Sequence, residues 1–158
     1  MSKLDELLRR LHEHAGTKAD TRWHSVVSAE GIAFIEESLG VELPPLLRRC
    51  YTEVSNGGFG PGYGLIGLPG GHPGSWGDLL ESTAVVREDE EVEEGWLPVI
   101  DWGCAEHSLV DCDAEGRIVS LYDGDYHEEC YDLEELFTRW LAGEVPDLTS
   151  GGFCRSER

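Results

Sequence analysis

Apolar residues recur at helical spacing up to residue 56 and as short β-branched or aromatic runs after residue 96, with a stretch rich in glycine and proline, 57–77, between them. A chain that changes its apolar period once, from 3.6 to 2, must pack a helical layer against a sheet. Leu4, Leu7, Leu8 and Leu11 mark a first helix over the first fifteen residues, with Ser2 and Asp5 at its start and Gly16 at its end. After a polar connector, Thr17 to Arg22, Ser28 caps a second helix carrying Ile32, Ile35 and Leu39, which Gly40 stops. Pro44-Pro45 opens a third, with Leu46, Leu47, Cys50, Tyr51 and Val54 inward, ending at Asn56-Gly57-Gly58.

The glycine-rich stretch reads as an irregular connection with a short strand around Tyr63–Leu68, followed by a short helix from Asp78 to Val86. Leu97–Trp102, His107–Cys112 and Arg117–Tyr122 read as strands, the last two joined by a hairpin turn at Asp113-Ala114-Glu115-Gly116. Asp132 to Ala142 forms a closing helix with Leu133, Leu136, Phe137, Trp140 and Leu141 on one face. The expected fold is α+β: N-terminal helices, a mostly antiparallel sheet and a C-terminal helix, in one domain over 1–146 with a flexible tail at 147–158. Leu47, Tyr51, Trp102, Phe137 and Trp140 should share its core.

Charge narrows the partners. The 158 residues carry 32 Asp and Glu against 12 Lys and Arg, a net charge of -20. Phosphate backbones and anionic membranes repel such a chain, whereas a basic protein surface attracts it. Charges interrupt every apolar run before a membrane span is reached, and the N-terminus has no apolar leader segment. The five cysteines are odd in number and scattered, so reduced thiols in the cytosol are expected.

The tempting motifs have plainer readings. Gly62-Tyr63-Gly64-Leu65-Ile66-Gly67 fits the dinucleotide pattern but lacks the strand before it and the helix after it. Asp111, Asp113, Glu115 and Gly116 resemble half a calcium loop, yet the last ligand position holds Tyr122. Cys104-x-x-His107 and His127-x-x-Cys130, with Cys112 nearby, are soft ligands, but His107 and Cys112 have opposite parity in one strand. These side chains read as packing residues, and neither metal nor cofactor is expected. No nucleophile sits beside a base in a recognisable signature, so the chain is not read as an enzyme.

Glu36, Leu39-Gly40-Val41, Leu43-Pro44, Leu47, Tyr51 and Asn56-Gly57-Gly58 together resemble the signature of the SUKH superfamily, Smi/Knr type. Leu97-Pro98-Val99, Trp102-Gly103-Cys104-Ala105, Leu109-Val110-Asp111-Cys112 and Phe137-x-x-Trp140-Leu141-Ala142-Gly143-Glu144 resemble a bacterial branch of it, so that the similarity runs from Ser28 to Glu144. The resemblance implies a non-catalytic protein-binding role, that of an immunity protein neutralising a polymorphic toxin. A regulatory or scaffolding module without a toxin partner is the alternative it allows. Residues 85–94 have no counterpart in the signature.

For a basic toxin of nuclease type, the expected contacts are two acidic clusters read as loops. They are Glu88, Asp89, Glu90, Glu91, Glu93 and Glu94, and then Asp123, Asp125, Glu128 and Glu129. Trp76 and Tyr126 are the expected aromatic anchors. Oligomeric state is not legible.

Overall fold

The leucine stripe becomes α1 (Lys3–Thr17), which buries Leu7, Leu8, Leu11 and Ala15. Ser2 and Asp5 close its start reciprocally, each side chain accepting the other's backbone N–H at 3.1 Å. The computed structural model describes residues 2–17 and 25–146, so the connector from residue 18 and the expected tail at 147–158 lie outside the described residues. In α2 (Ala29–Leu39) the Ser28 hydroxyl accepts the Gly31 N–H, and Gly40 at φ +75° ends the helix. Glu36 turns inward there: its Oε2 accepts the Leu43 N–H at 2.7 Å and an Arg48 N–H at 2.9 Å, pinning the following turn.

The spacing predicts one helix from Pro45 to Asn56. Instead α3 (Pro45–Arg49) widens into a π-helical turn, Cys50–Val54. The Tyr51 carbonyl is taken by Val27 N–H at 2.8 Å, while Ser55 N–H reaches back five residues to Cys50 O. The turn delivers the buried Tyr51 hydroxyl to the Ile66 carbonyl at 2.6 Å. The predicted strand at Tyr63–Leu68 shrinks to a single bridge, Leu65 to Ile100, because Gly62 and Gly64 adopt positive φ and bend the chain away from extension. It still runs beside the sheet, with Tyr63 N–H on Asp101 O and Ile66 N–H on Val99 O.

Asp78 and Glu81 form a full capping box at the head of α4 (Leu79–Val86). The sheet is an antiparallel meander of β1 (Trp96–Gly103), β2 (Glu106–Asp111), β3 (Arg117–Tyr122) and β4 (Asp125–Asp132). β4 corrects the sequence reading, which leaves this acidic segment as loop. Asp123-Gly124, both at positive φ, make the two-residue turn that folds it back onto β3. α5 (Leu133–Leu141) follows at once, with Asp132 as N-cap.

The helices cover one sheet face, where Leu47, Tyr51, Leu65, Ile66, Leu97, Val110, Ile118 and Phe137 form the main core; Trp102 and Trp140 pack partly buried against it, as the expected core set requires. The fold is thus α+β, as expected. Replacing Tyr51 by Phe should lower stability by about 1–3 kcal/mol, because the buried Ile66 carbonyl loses its donor while the ring volume is kept. Urea unfolding of the two proteins measures it; equal midpoints would show that the hydroxyl contributes nothing.

Candidate functional site

Alternation along each strand sends a second set of side chains to the other sheet face. Val86, Trp96, Leu109, Val119 and Leu121 form a smaller buried cluster there, with Trp76, Val92 and Tyr126 half-buried against it. One cross-strand row runs Asp101, His107, Leu121, Tyr126, and the next runs Pro98, Leu109, Val119, Glu128. Trp96 and Tyr126 meet with ring centroids 5.8 Å apart, and Trp76 stacks on His107 at 4.1 Å and 14°. Both expected aromatic anchors therefore sit on this outer face.

Of the expected acidic residues on β4, Glu128 shares the parity of Tyr126, whereas Asp125, paired with Tyr122, faces the other way. Glu88, Asp89, Glu90, Glu91, Glu93 and Glu94 are all exposed in the turns between α4 and β1. Val92 of that turn segment packs against the same cluster as Tyr126, and partial burial, followed by the charges of Asp89 and Glu91, raises the pKa of the Tyr126 phenol. Arg87 straps the segment at both ends, donating to the carbonyls of Leu39 at 2.9 Å and Glu94 at 2.8 Å. Asp123 is exposed in the β3–β4 turn, and Asp125 and Glu128 are exposed on β4 itself, not in a loop. Glu129 is different: it is buried, and its Oε2 accepts the Ser120 hydroxyl at 2.9 Å. It points to the inner side of the sheet and leaves the set of surface carboxylates.

The ion pairs of the described cations lie mostly on the helical layer, although exposed Arg117 shares the strand parity of Val119 and Leu121. Among the described residues, the ion pairs of Lys3, Arg9, Arg48, Arg49 and Arg139 all join helical segments or the turn after α5. None of those pairs includes a carboxylate of the 88–94 segment or of Asp123, Asp125 and Glu128.

The described cysteines and histidines do not assemble into a centre. Among the described residues no group of three or more His, Cys, Asp or Glu is placed to hold a metal ion. Cys50 is buried in the main core, and burial raises its thiol far above the ordinary range. Burial, then Asp111 and Asp113, push the Cys112 thiol up to about 12, so neither sulfur is a ready nucleophile. Cys104 is an exposed free thiol in the β1–β2 turn. Cys130, exposed on β4, is disulfide-bonded, which corrects the expectation of five reduced thiols.

Sequence reasoning missed what holds Trp76 in place. Asp101 is buried, and its Oδ2 accepts both the N–H (2.7 Å) and the hydroxyl of Ser75, while its Oδ1 accepts the Gly103 N–H at 2.8 Å. The signal was available, since a lone carboxylate inside the apolar run Leu97–Trp102 needs fixed donors. Burial opposes its charge, but the bonds from Ser75 and Gly103 and the nearby His107 outweigh burial and keep its pKa below the ordinary 3.8.

A family model described as the SMI1 / KNR4 family (SUKH-1) matches residues 26–143, from the segment before α2 to the end of α5. No curated protein matches the chain. Among the described residues no helix is long and apolar enough to cross a membrane.

Asp101→Asn should cost about 1.5–3 kcal/mol at neutral pH, since one amide oxygen cannot accept all three bonds. A carboxylate whose folded value is depressed stabilises the fold above its unfolded value and loses that contribution as pH falls. The gap between wild type and variant should therefore narrow below pH 3.8. Denaturation midpoints across pH check this; a gap that is constant through that range would assign the effect to packing.

Proposed function

Since the chain belongs to the SMI1 / KNR4 family (SUKH-1), we propose that it is a non-catalytic protein-binding domain, and more narrowly an immunity protein that neutralises a cognate toxin in the cytosol. The observation that carries the narrower reading is the outer sheet face. It presents half-buried Trp76 and Tyr126 near exposed carboxylates of the 88–94 segment and β4, while the ion pairs of Lys3, Arg48 and Arg139 lie on the helical layer. A nuclease-type toxin must carry a basic groove to hold nucleic acid, and a face of this composition fits such a groove. The docking set is Glu88, Asp89, Glu90, Glu91, Glu93, Glu94, Asp123 and Glu128, with Trp76 and Tyr126 as anchors.

The carboxylates and the aromatics have separable roles. Surface charges act over roughly 8 Å at physiological salt and mainly speed encounter. Half-buried aromatics lose their remaining hydration only on contact and so govern dissociation.

Changing the six acids of the 88–94 segment to amides should slow association with the co-purified partner by about tenfold at low ionic strength, with dissociation little changed. Raising salt should close that difference. Tyr126→Ala should do the reverse, speeding dissociation and leaving the salt dependence intact. Surface plasmon resonance across a salt series reads both effects. Unchanged association for the amide variant at low salt removes the segment from the interface, and a partner that binds the helical layer instead overturns the proposal.

A further inference from the structure

His107 has no part in the docking just proposed, yet its surroundings are unusual. Its side chain is fully buried, and neither ring nitrogen makes a hydrogen bond of acceptable geometry. The indole of Trp76 covers one face of the ring at 4.1 Å. The charged group facing it is Asp101 on β1, whose Oδ1 lies 3.9 Å from Nε2, too far for a bond. β3 contributes uncharged Leu121 to the same row, and β4 contributes the phenol of Tyr126. The Ala105 backbone, in the turn that precedes β2, is near enough to favour the charged ring.

We propose that His107 is a proton-operated latch on Trp76. A neutral ring holds the indole stacked and presented on the outer face, and a protonated ring releases the segment that carries it. A neutral imidazole can lie beneath an indole at modest cost. An imidazolium carries two N–H donors, and the acceptors within reach are the Ala105 backbone and Asp101, whose Oδ1 stands 3.9 Å from Nε2, beyond bonding distance. To bond the imidazolium Asp101 must move towards it from 3.9 Å, and its other oxygen is tied to Ser75, the neighbour that fixes Trp76. Either outcome, opening to hydrate the ring or drawing Asp101 towards it, loosens the same segment.

The sign follows from linkage. Burial lowers the proton affinity of His107 below the ordinary 6.5, more than Asp101 and Ala105 raise it. The closed arrangement is therefore favoured above that value and loses ground as pH falls from it towards the lower folded value. Within that window, opening gains up to about tenfold per pH unit for the one proton taken up. Asp101 stays ionised throughout, since its own value lies below 3.8.

The latch is tested on the full chain without a partner, so its failure leaves the proposed docking face standing. Nuclear Overhauser contacts between the Trp76 and His107 rings are followed from about pH 7.5 to about pH 4.5, together with the ring-carbon titration of His107. Trp76→Phe assigns the indole signals. The contacts should vanish with the same midpoint at which His107 titrates, below 6.5. In His107→Phe, which keeps an aromatic partner but cannot take a proton, the Trp76 signals should hold their neutral-pH positions across the range. Contacts that persist while His107 titrates overturn the latch, as does an equal Trp76 transition in His107→Phe. Should that variant not fold, the two wild-type titrations decide alone, because a latch requires their midpoints to coincide.

Discussion

Asn56 holds the glycine-rich connection to the rest of the molecule, and the outer face depends on that grip. Its Oδ1 accepts the Leu68 N–H at 2.7 Å, its Nδ2 donates to the Leu68 carbonyl, and its own carbonyl accepts the His72 N–H at 3.0 Å. A side chain used as if it were backbone fixes an irregular segment that has little ladder of its own. The approach is close enough that a Cβ on Gly71 would fall 2.3 Å from Asn56 Cγ. With Tyr51 holding Ile66 from below, the connection passes along β1 and lays Ser75 and Trp76 over the far side of the sheet. Those residues are thus placed by the grip on the connection together with the bonds from Ser75 to Asp101.

The two sheet faces then take different work. The inner face is closed by helices and holds most of the buried apolar volume. The outer face buries only a small cluster and leaves aromatic edges at the surface, which is the composition of a contact patch. Charge follows the same division. Arginines pair with acids on the helical layer, where the geometry of i, i+4 and neighbouring helices favours it, as in Arg49 with Glu53 and Asp5.

Much of this was legible from residue order. Helix caps at Ser28, Asp78 and Asp132 and the three aliphatic strands follow from local rules, and the structure has them where those rules put them. β4 was hidden because Asp125, Glu128, Glu129 and Asp132 leave it no apolar alternation, and a register shift puts Tyr126 and Tyr131 in different clusters, although Asp123-Gly124 is a hairpin signal. The π-turn at Cys50–Val54 was hidden for another reason: it is drawn open by Val27, a residue more than twenty positions away.

Sequence alone determined the classes of element, the family and the acidic character, since each depends on local spacing, on an ordered motif set or on a simple count. Tertiary structure decided which acids are available. Neighbouring Glu128 and Glu129 look alike in the chain, yet strand parity turns one to solvent and the other to Ser120. It also decided that Trp76, Asp101, His107 and Tyr126, spread over fifty residues, share one face. No local rule carries that information, because cross-strand register and the path of a glycine-rich connection are set by which distant groups satisfy each other's hydrogen bonds.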